Sequence, residues 1–539
     1  MAVYRNDQVD FSFAAEVGAG GYFAPLKASD KASGEMDTTT DAIVLPGATI
    51  IPVAATTNSS VGDYVQIGTT GTDSTEVRKI TAIDSGVSIR VNAPVGFYHA
   101  SGESVQENTY SAGAITALAL DTNTMDHMRF TPGVWESIEL PDPAMEIEPR
   151  YFLGTESRRN FYAAYKGQQS FSGTLSNFEL LNGYPLRFPL GTVATTGTDS
   201  GGGGGSVTDG ITYKGQYEFD VDSGTGYAAD DYIQIGTGTT AEVRKVTAVS
   251  TNNIFIDYPV LFEHASGETC NEVIAPYTHT IIEAVELPGV SWQVKNRDSS
   301  ETSTNDWVRR YFGGKIGQAT LTAEEGGTLR MSWESAPFIN MNHNQYANDS
   351  DTDMNKYDSA QLATTVEFPT SEPYYFSQGS ITMFGEEFAR ITNFTININN
   401  NLEPRYFIRN DGSERTPSEI FEGRREYSMT ASVVLPDSIA ATSTTSTLFK
   451  ELLSEGDYGS GMTGFDIDLV FTRTATTDTF TINIPAAADG ASGTGGNNQG
   501  AFIRSANTSV STENPVSTEV DILFRNMSAV IVDSEPVYP

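Results

Sequence analysis

In four segments between Ile391 and Ile484 apolar side chains recur at every second position, and that periodicity rules out most folds. Phe394, Ile396 and Ile398 alternate with Asn393, Thr395, Asn397 and Asn399. Tyr427, Met429, Ala431 and Val433 alternate with Ser428, Thr430 and Ser432. Phe465, Ile467, Leu469 and Phe471 oppose Asp466, Asp468 and Thr472, and Phe480, Ile482 and Ile484 oppose Thr481 and Asn483. The same period runs earlier, in Phe171, Gly173 and Leu175 against Ser170, Ser172, Thr174 and Ser176, and again in Leu329, Met331 and Trp333. Alternate residues lie on opposite faces of a strand. Strict alternation therefore predicts antiparallel sheets with one face in a core and the other wet. Helical spacing is confined to Thr447–Leu453, enough for one or two turns.

A second pattern is duplication. Asp63-Tyr-Val-Gln-Ile-Gly68 returns as Asp231-Tyr-Ile-Gln-Ile-Gly236, Glu76-Val-Arg-Lys79 as Glu242-Val-Arg-Lys245, and His99-Ala-Ser-Gly-Glu103 as His264-Ala-Ser-Gly-Glu268. Each copy reads as short strands parted by Gly and Ser turns, sufficient for a small β-barrel or sandwich. Unrelated sequence separates the copies. Gly201–Gly205 introduces the second and reads by composition as a flexible linker. Each copy thus looks like a module spliced into a surface loop of a host.

The 539 residues exceed what one core usually organises, so two to four domains are expected. A net charge of -37 disfavours plain nucleic-acid binding, which needs clustered Lys and Arg on phosphates. Lysine is scarce, at ten residues. An acidic, lysine-poor surface resembles proteins of halophilic archaea and their viruses. Molar salt shrinks the Debye length to about 3 Å and makes such self-repulsion tolerable. A single cysteine, Cys270, excludes an intrachain disulfide. The N-terminal MAVYRNDQVDFSF lacks the basic start and apolar core of a signal peptide, and no stretch reaches about 18 apolar residues.

Catalytic and metal signatures fail on inspection. The five histidines are dispersed and form no H-E-x-x-H. His99 with Glu103, and His264 with Glu268, fit a shared turn hydrogen bond better than a site. No serine sits in a G-x-S-x-G elbow. Asp349, Asp351 and Asp353 open like a calcium loop, but Met354 stands where glycine is needed and Ala360 where the closing glutamate belongs. They remain a weak cation candidate in a solvated acidic loop. Gly201–Gly205 lacks the Gly-Lys-Ser/Thr of a phosphate loop. No cofactor and no enzymatic activity are expected.

The second half resembles the tail tube proteins of tailed viruses with long non-contractile tails. The resemblance is carried by ARITNFTININNNLEPRYF (Ala389–Phe407), IFEGRREYSMTASVVLPD (Ile420–Asp437), TLFKELLSEG, GFDIDLVFTR and FTINIP in that order. The first half is similar more weakly, through KGQQSFSGTLSNFELLNGYPLRFPLGT (Lys166–Thr192) and VRRYFGGKIGQATLTAEEGGTLRMSWE (Val308–Glu334). The resemblance implies an all-β chain of two tail-tube-like antiparallel β-sandwich domains with short helices and two inserted modules. Its expected divisions are an arm at 1–41, a module at 42–108, first-domain segments at 109–200 and 277–370, a linker and second module at 201–276, and a second domain at 371–539.

By that resemblance the chain is a structural virion protein made in the host cytoplasm. It polymerises into stacked rings around a channel through which double-stranded DNA passes unbound, alongside other tail proteins. Three chains with pseudo-sixfold symmetry are favoured over six. Long strands with polar faces would aggregate unless neighbours consume their edges. Asp466, Asp468, Asn397 and Ser172 are the lumen candidates, although alternation alone leaves open which face looks inward. Arg158, Arg159, Arg424 and Arg425 are the ring-stacking candidates, because arginine binds carboxylates bidentately. The competing reading is a receptor- or glycan-binding or capsid-decorating virion protein whose modules are the active part. A halophile surface-layer protein and a polysaccharide-degrading enzyme are more distant readings.

Overall fold

The computed structural model describes residues 9–16, 26–28, 36–45, 48–61, 63–68, 76–91, 95, 97–108, 118–120, 130–151, 163–207, 212–216, 218–297, 307–343, 371–383, 386–387, 391–407, 415–434, 465–485, 500–510 and 516–538. Antiparallel sheets dominate them. One of these sheets is eight-stranded. Its order is Ser137–Glu139, Ser172–Glu179, Arg330–Pro337, Gln318–Glu324, Ile391–Asn399, Glu426–Val434, Ser517–Phe524 and Ala501–Ser509. The first four strands come from residues 137–337, the first half of the duplication, and the last four from residues 391–524, its second half. They join where Gln318–Glu324 pairs with Ile391–Asn399, from Gln318 opposite Asn399 to Glu324 opposite Asn393.

The alternation expected from sequence is present in the burial. Tyr427, Met429, Ala431 and Val433 are buried, as are Phe394, Ile396 and Ile398, while their neighbours stay partly or fully exposed. Two further sheets cover the apolar face. One is Val9–Ala15, Val290–Asn296, Trp307–Gly314 and Asn340–His343. The other runs through Thr269–Glu283, Ser528–Asp533, Thr479–Ile484, Ile467–Thr472 and Gly379–Met383. One core serves both halves. Phe13, Phe178, Trp292 and Trp333 belong to the same buried cluster as Phe394, Met429, Phe471 and Ile522. At its centre the Trp333 ring lies 5.3 Å from Phe13, 5.4 Å from Phe178, 5.6 Å from Phe188 and 6.0 Å from Trp292.

A short helix, Tyr184–Leu190, was not evident in the sequence because it carries Pro185 and Pro189 and is buried throughout. Pro185 lies in the first turn, where a missing amide is harmless. The preceding Gly183 is dictated by contact: a Cβ there would lie 2.5 Å from Ile531 Cδ1. The helix expected at Thr447–Leu453 lies outside the described residues.

Both repeats fold alike. Tyr64 faces Lys79 and Ile67 faces Glu76 in the first, and Tyr232 faces Lys245 and Ile235 faces Glu242 in the second. Each has its own core, around Ile51, Val65 and Ile89 in one and Phe219, Ile233 and Ile254 in the other. The first forms a separate six-stranded sheet. The second differs from expectation. Gly201–Gly205 lies inside the strand Gly191–Val207, which pairs with Thr269–Glu283 but shifts register between Asp199 and Gly204, so that of the five glycines Gly204 has a ladder partner, Asn271. The glycines form an irregularity in this strand, held by paired residues on either side, Asp199 opposite Val273 and Ser206 opposite Cys270. The two repeats touch where Tyr98 stacks on Tyr213, with ring centroids 5.4 Å apart.

Candidate assembly interface

The wet face of the eight-stranded sheet is a ladder of small polar groups. Thr320 donates to Glu334 at 2.6 Å and its hydroxyl lies 3.2 Å from Asn397 Oδ1, and Gln318 donates to Glu334 at 2.7 Å. Among its cations, Arg504 is paired with Asp521 at 2.9 Å. Ser172 and Asn397 both belong to this sheet. Asp468 does not: it lies in Ile467–Thr472 of the other large sheet and accepts from Asn483 at 2.6 Å, with Asp466 just before that strand. Burial and the neighbouring charge of Asp466 raise the Asp468 pKa. The four lumen candidates are thus divided between two sheets.

A hairpin interrupts the sheet in each half. Ala144–Arg150 pairs with Ala163–Ser170, and Glu403–Arg405 with Glu419–Phe421. Both carry the same pentapeptide, Glu148-Pro-Arg-Tyr-Phe152 and Glu403-Pro-Arg-Tyr-Phe407. This identity is the signal of duplication that a search for alternation passes over. The structures agree in detail: Arg150 meets Glu148 at 2.6 Å, and Arg405 meets Glu403 at 2.6 Å. Both pairs are exposed and contribute little stability. The second hairpin rests on the base of the first. The Tyr406 hydroxyl donates to the Gln169 carbonyl at 2.8 Å, and the Gln169 amide donates to the Arg415 carbonyl at 2.8 Å. Tyr151, the counterpart of Tyr406, is 68 % exposed.

Of the stacking candidates, the Arg424 side chain is exposed and lies 3.8 Å from Glu426. Arg425 is engaged inside the subunit, donating to Asn400 Oδ1 at 2.7 Å and to the Ala284 carbonyl at 3.3 Å, and lying 3.7 Å from Glu283. Arg158, Arg159, Asp349, Asp351 and Asp353 lie outside the described residues. Among the described residues no three His, Cys, Asp or Glu side chains gather as metal ligands, and no helix is long and apolar enough to cross a membrane.

The repeated histidines do form the shared turn. His99 Nδ1 lies 3.2 Å from Glu103, whose carboxylate also accepts from the Ala100 amide; His264 Nδ1 lies 2.9 Å from Glu268, which accepts from the Ala265 amide. In the second repeat the far side of the ring meets buried Glu242 at 2.7 Å, and Glu242 meets Arg244 at 2.5 Å. Burial opposes charge on Glu242. The Arg244 guanidinium, the His264 hydrogen bond and the Leu261 amide outweigh it and hold the carboxyl below its usual range. Burial likewise opposes the His264 imidazolium, yet Glu242 and Glu268 raise its pKa above the ordinary value. These contacts bolt the strand Glu242–Ser250 to the turn at His264–Glu268.

Two half-sheets fused edge to edge, with Ser137–Glu139 and Ala501–Ser509 as the end strands among the described residues and a pair of matching hairpins, define an all-β structural subunit. Residues 157–524, more than half of the chain, match the phage tail tube protein family, and the chain belongs to that family. No curated protein matches it. It is accordingly a structural component of a virion tail that assembles with itself and with other tail proteins.

Proposed function

We propose that three chains close into a ring by joining Ala501–Ser509 of each to Ser137–Glu139 of the next, and that rings stack into a conduit for the genome. The observation that carries this reading is the pairing of Gln318–Glu324 with Ile391–Asn399, which already joins the two halves inside one chain. Two half-sheets per chain favour three chains over six for the same barrel. The Ser, Thr and Asn face, with Ser172 and Asn397, lines the channel; Asp466 and Asp468 then lie away from it. DNA carries about one charge per 1.7 Å of axis, so a polar wall whose described cations include Arg504 paired with Asp521 and Arg330 near Glu179 lets it slide. Arg424, with Arg158 and Arg159, serves ring-to-ring contacts, and the two modules decorate the outside. The tail is of the long non-contractile kind.

The charge of -37 suits an archaeal host in molar salt, where the Debye length is about 3 Å. Electron microscopy and native mass measurement of the purified chain across KCl concentrations test the proposal. Rings of three chains with an open centre, favoured by high salt, are expected. A monomer at every salinity, or a ring without a channel, refutes it.

A further inference from the structure

The joint between the halves is a template for the joint between copies. Ser137, Ile138 and Glu139 face Ser176, Leu175 and Thr174; Asn393, Phe394 and Thr395 face Ser432, Ala431 and Thr430. Ile138 is therefore the counterpart of Phe394, and Thr174 of Thr430. One residue earlier, Gly173 and Met429 pair with Ala336 and Ile522. The next partners along, Ser335 and Asp521, pair with Gln318 and Ser505, and Trp333 and Val520 pair with Ala319 and Ala506. Ala319 is thus the counterpart of Ala506, which makes Val510 the counterpart of Ala323. Within the chain Ala323 faces Phe394 and Thr322 faces Thr395. The hairpins extend the match. Tyr151 corresponds to Tyr406, and Arg425 to Gln169, each two residues beyond the paired glycines Gly167 and Gly423.

We propose, resting on the ring reading above, that the contact between copies repeats the contact between halves. Val510 of one copy faces Ile138 of the next, Ser509 faces Glu139, and the Tyr151 hydroxyl of that next copy donates to the Arg425 carbonyl of the first. Both contacts demand the same arrangement, because Ile138 and Tyr151 lie in the first half and Val510 and Arg425 in the second. The lone chain leaves what such a joint would use: Val510 is 76 % exposed and Tyr151 68 %. Register matters, since a slip of one residue would turn the apolar set onto the wet face.

The test is the full-length double variant Ile138→Cys with Val510→Cys, oxidised after assembly and run without reductant. Directly opposed residues have Cβ atoms about 4.5–5.5 Å apart, close enough for a mobile edge to bridge. The natural Cys270 is buried and leaves the background low. A covalent ladder ending at three chains is expected, absent from either single variant and weak in the shifted pair Leu140→Cys with Val510→Cys. A ladder ending at six would keep the register and overturn the three-chain ring. If the double variant forms rings like the wild type but does not link, or links less than the shifted pair, the register is overturned. Absence of wild-type rings overturns the ring reading and this proposal with it. Should the double variant fail to assemble, a benzophenone amino acid at position 151, in rings mixed from isotopically light and heavy chains, decides the matter. A product joining residue 151 to the segment around Arg425 of another copy supports the proposal; one confined to a single copy, or landing elsewhere, refutes it.

Discussion

Replacing Glu242 by alanine would unmake the densest polar contact in the second repeat. Its carboxylate meets Arg244 at 2.5 Å and His264 at 2.7 Å, and accepts from the amides of Leu261 at 2.8 Å and Phe262 at 3.2 Å. Arg244, 1 % exposed, would keep only its bonds to the Pro259 and Val243 carbonyls. Removing one partner of a buried ion pair typically costs about 3–5 kcal/mol, because the other charge is stranded. That corresponds to roughly a 140- to 3,700-fold rise in local opening. Amide hydrogen exchange by mass spectrometry reads it out in the strands Glu242–Ser250 and Asn253–Ile256, with the matching strands Glu76–Asp84 and Ser88–Val91 as an internal control. Glu242→Gln keeps an acceptor for the two amides and should lose less. The pH dependence has two limbs. The lowered Glu242 pKa contributes stability above its unfolded value, lost as pH falls through the folded one; the raised His264 pKa contributes below its unfolded value, lost as pH rises through the folded one. Protection should therefore peak between mildly acidic and neutral pH. A change below about fivefold in Glu242→Ala, or equal loss in both repeats, would refute the view of this cluster as a bolt.

Two other outcomes concern the host. Trp333→Ala, at the fully buried centre shared by both halves, should cost about 3–5 kcal/mol in denaturant unfolding and lower the midpoint of both halves together. Glu16 is buried, accepting from the Ser291 hydroxyl at 2.6 Å and the Gly313 amide at 2.8 Å, and burial pushes its pKa up to about 8. Stability should accordingly fall as pH rises from its unfolded value near 4.5 to about 8, and Glu16→Gln should remove that slope in thermal melts across the range.

Alternation made the strands legible and left their partners unread. The polar and apolar sets of Ile391–Asn399 and Gln318–Glu324 follow from period two, but nothing in either says that the two pair across the halves. Pairing depends on where chain segments meet in space, and side-chain periodicity carries only the choice of face. The glycine run misled for a related reason: Gly204 opposite Asn271 and Ser206 opposite Cys270 gain their order from a neighbour distant in sequence. For the interface, the candidates came from residue type, and the half-buried position of Arg425 depends on Asn400 and Ala284, which no local pattern announces. The duplicated Glu-Pro-Arg-Tyr-Phe was readable from the start, yet its meaning needed the second copy's contact with Gln169.

The paired strands Gly191–Val207 and Thr269–Glu283 run from beside the buried helix out into the second repeat. At about 3.3 Å per residue such a stalk is a cantilever and not a tether. A foreign cargo grafted beyond Thr198 and Ile274 would inherit a fixed bearing, and trimming one residue from each arm would turn its outward side over.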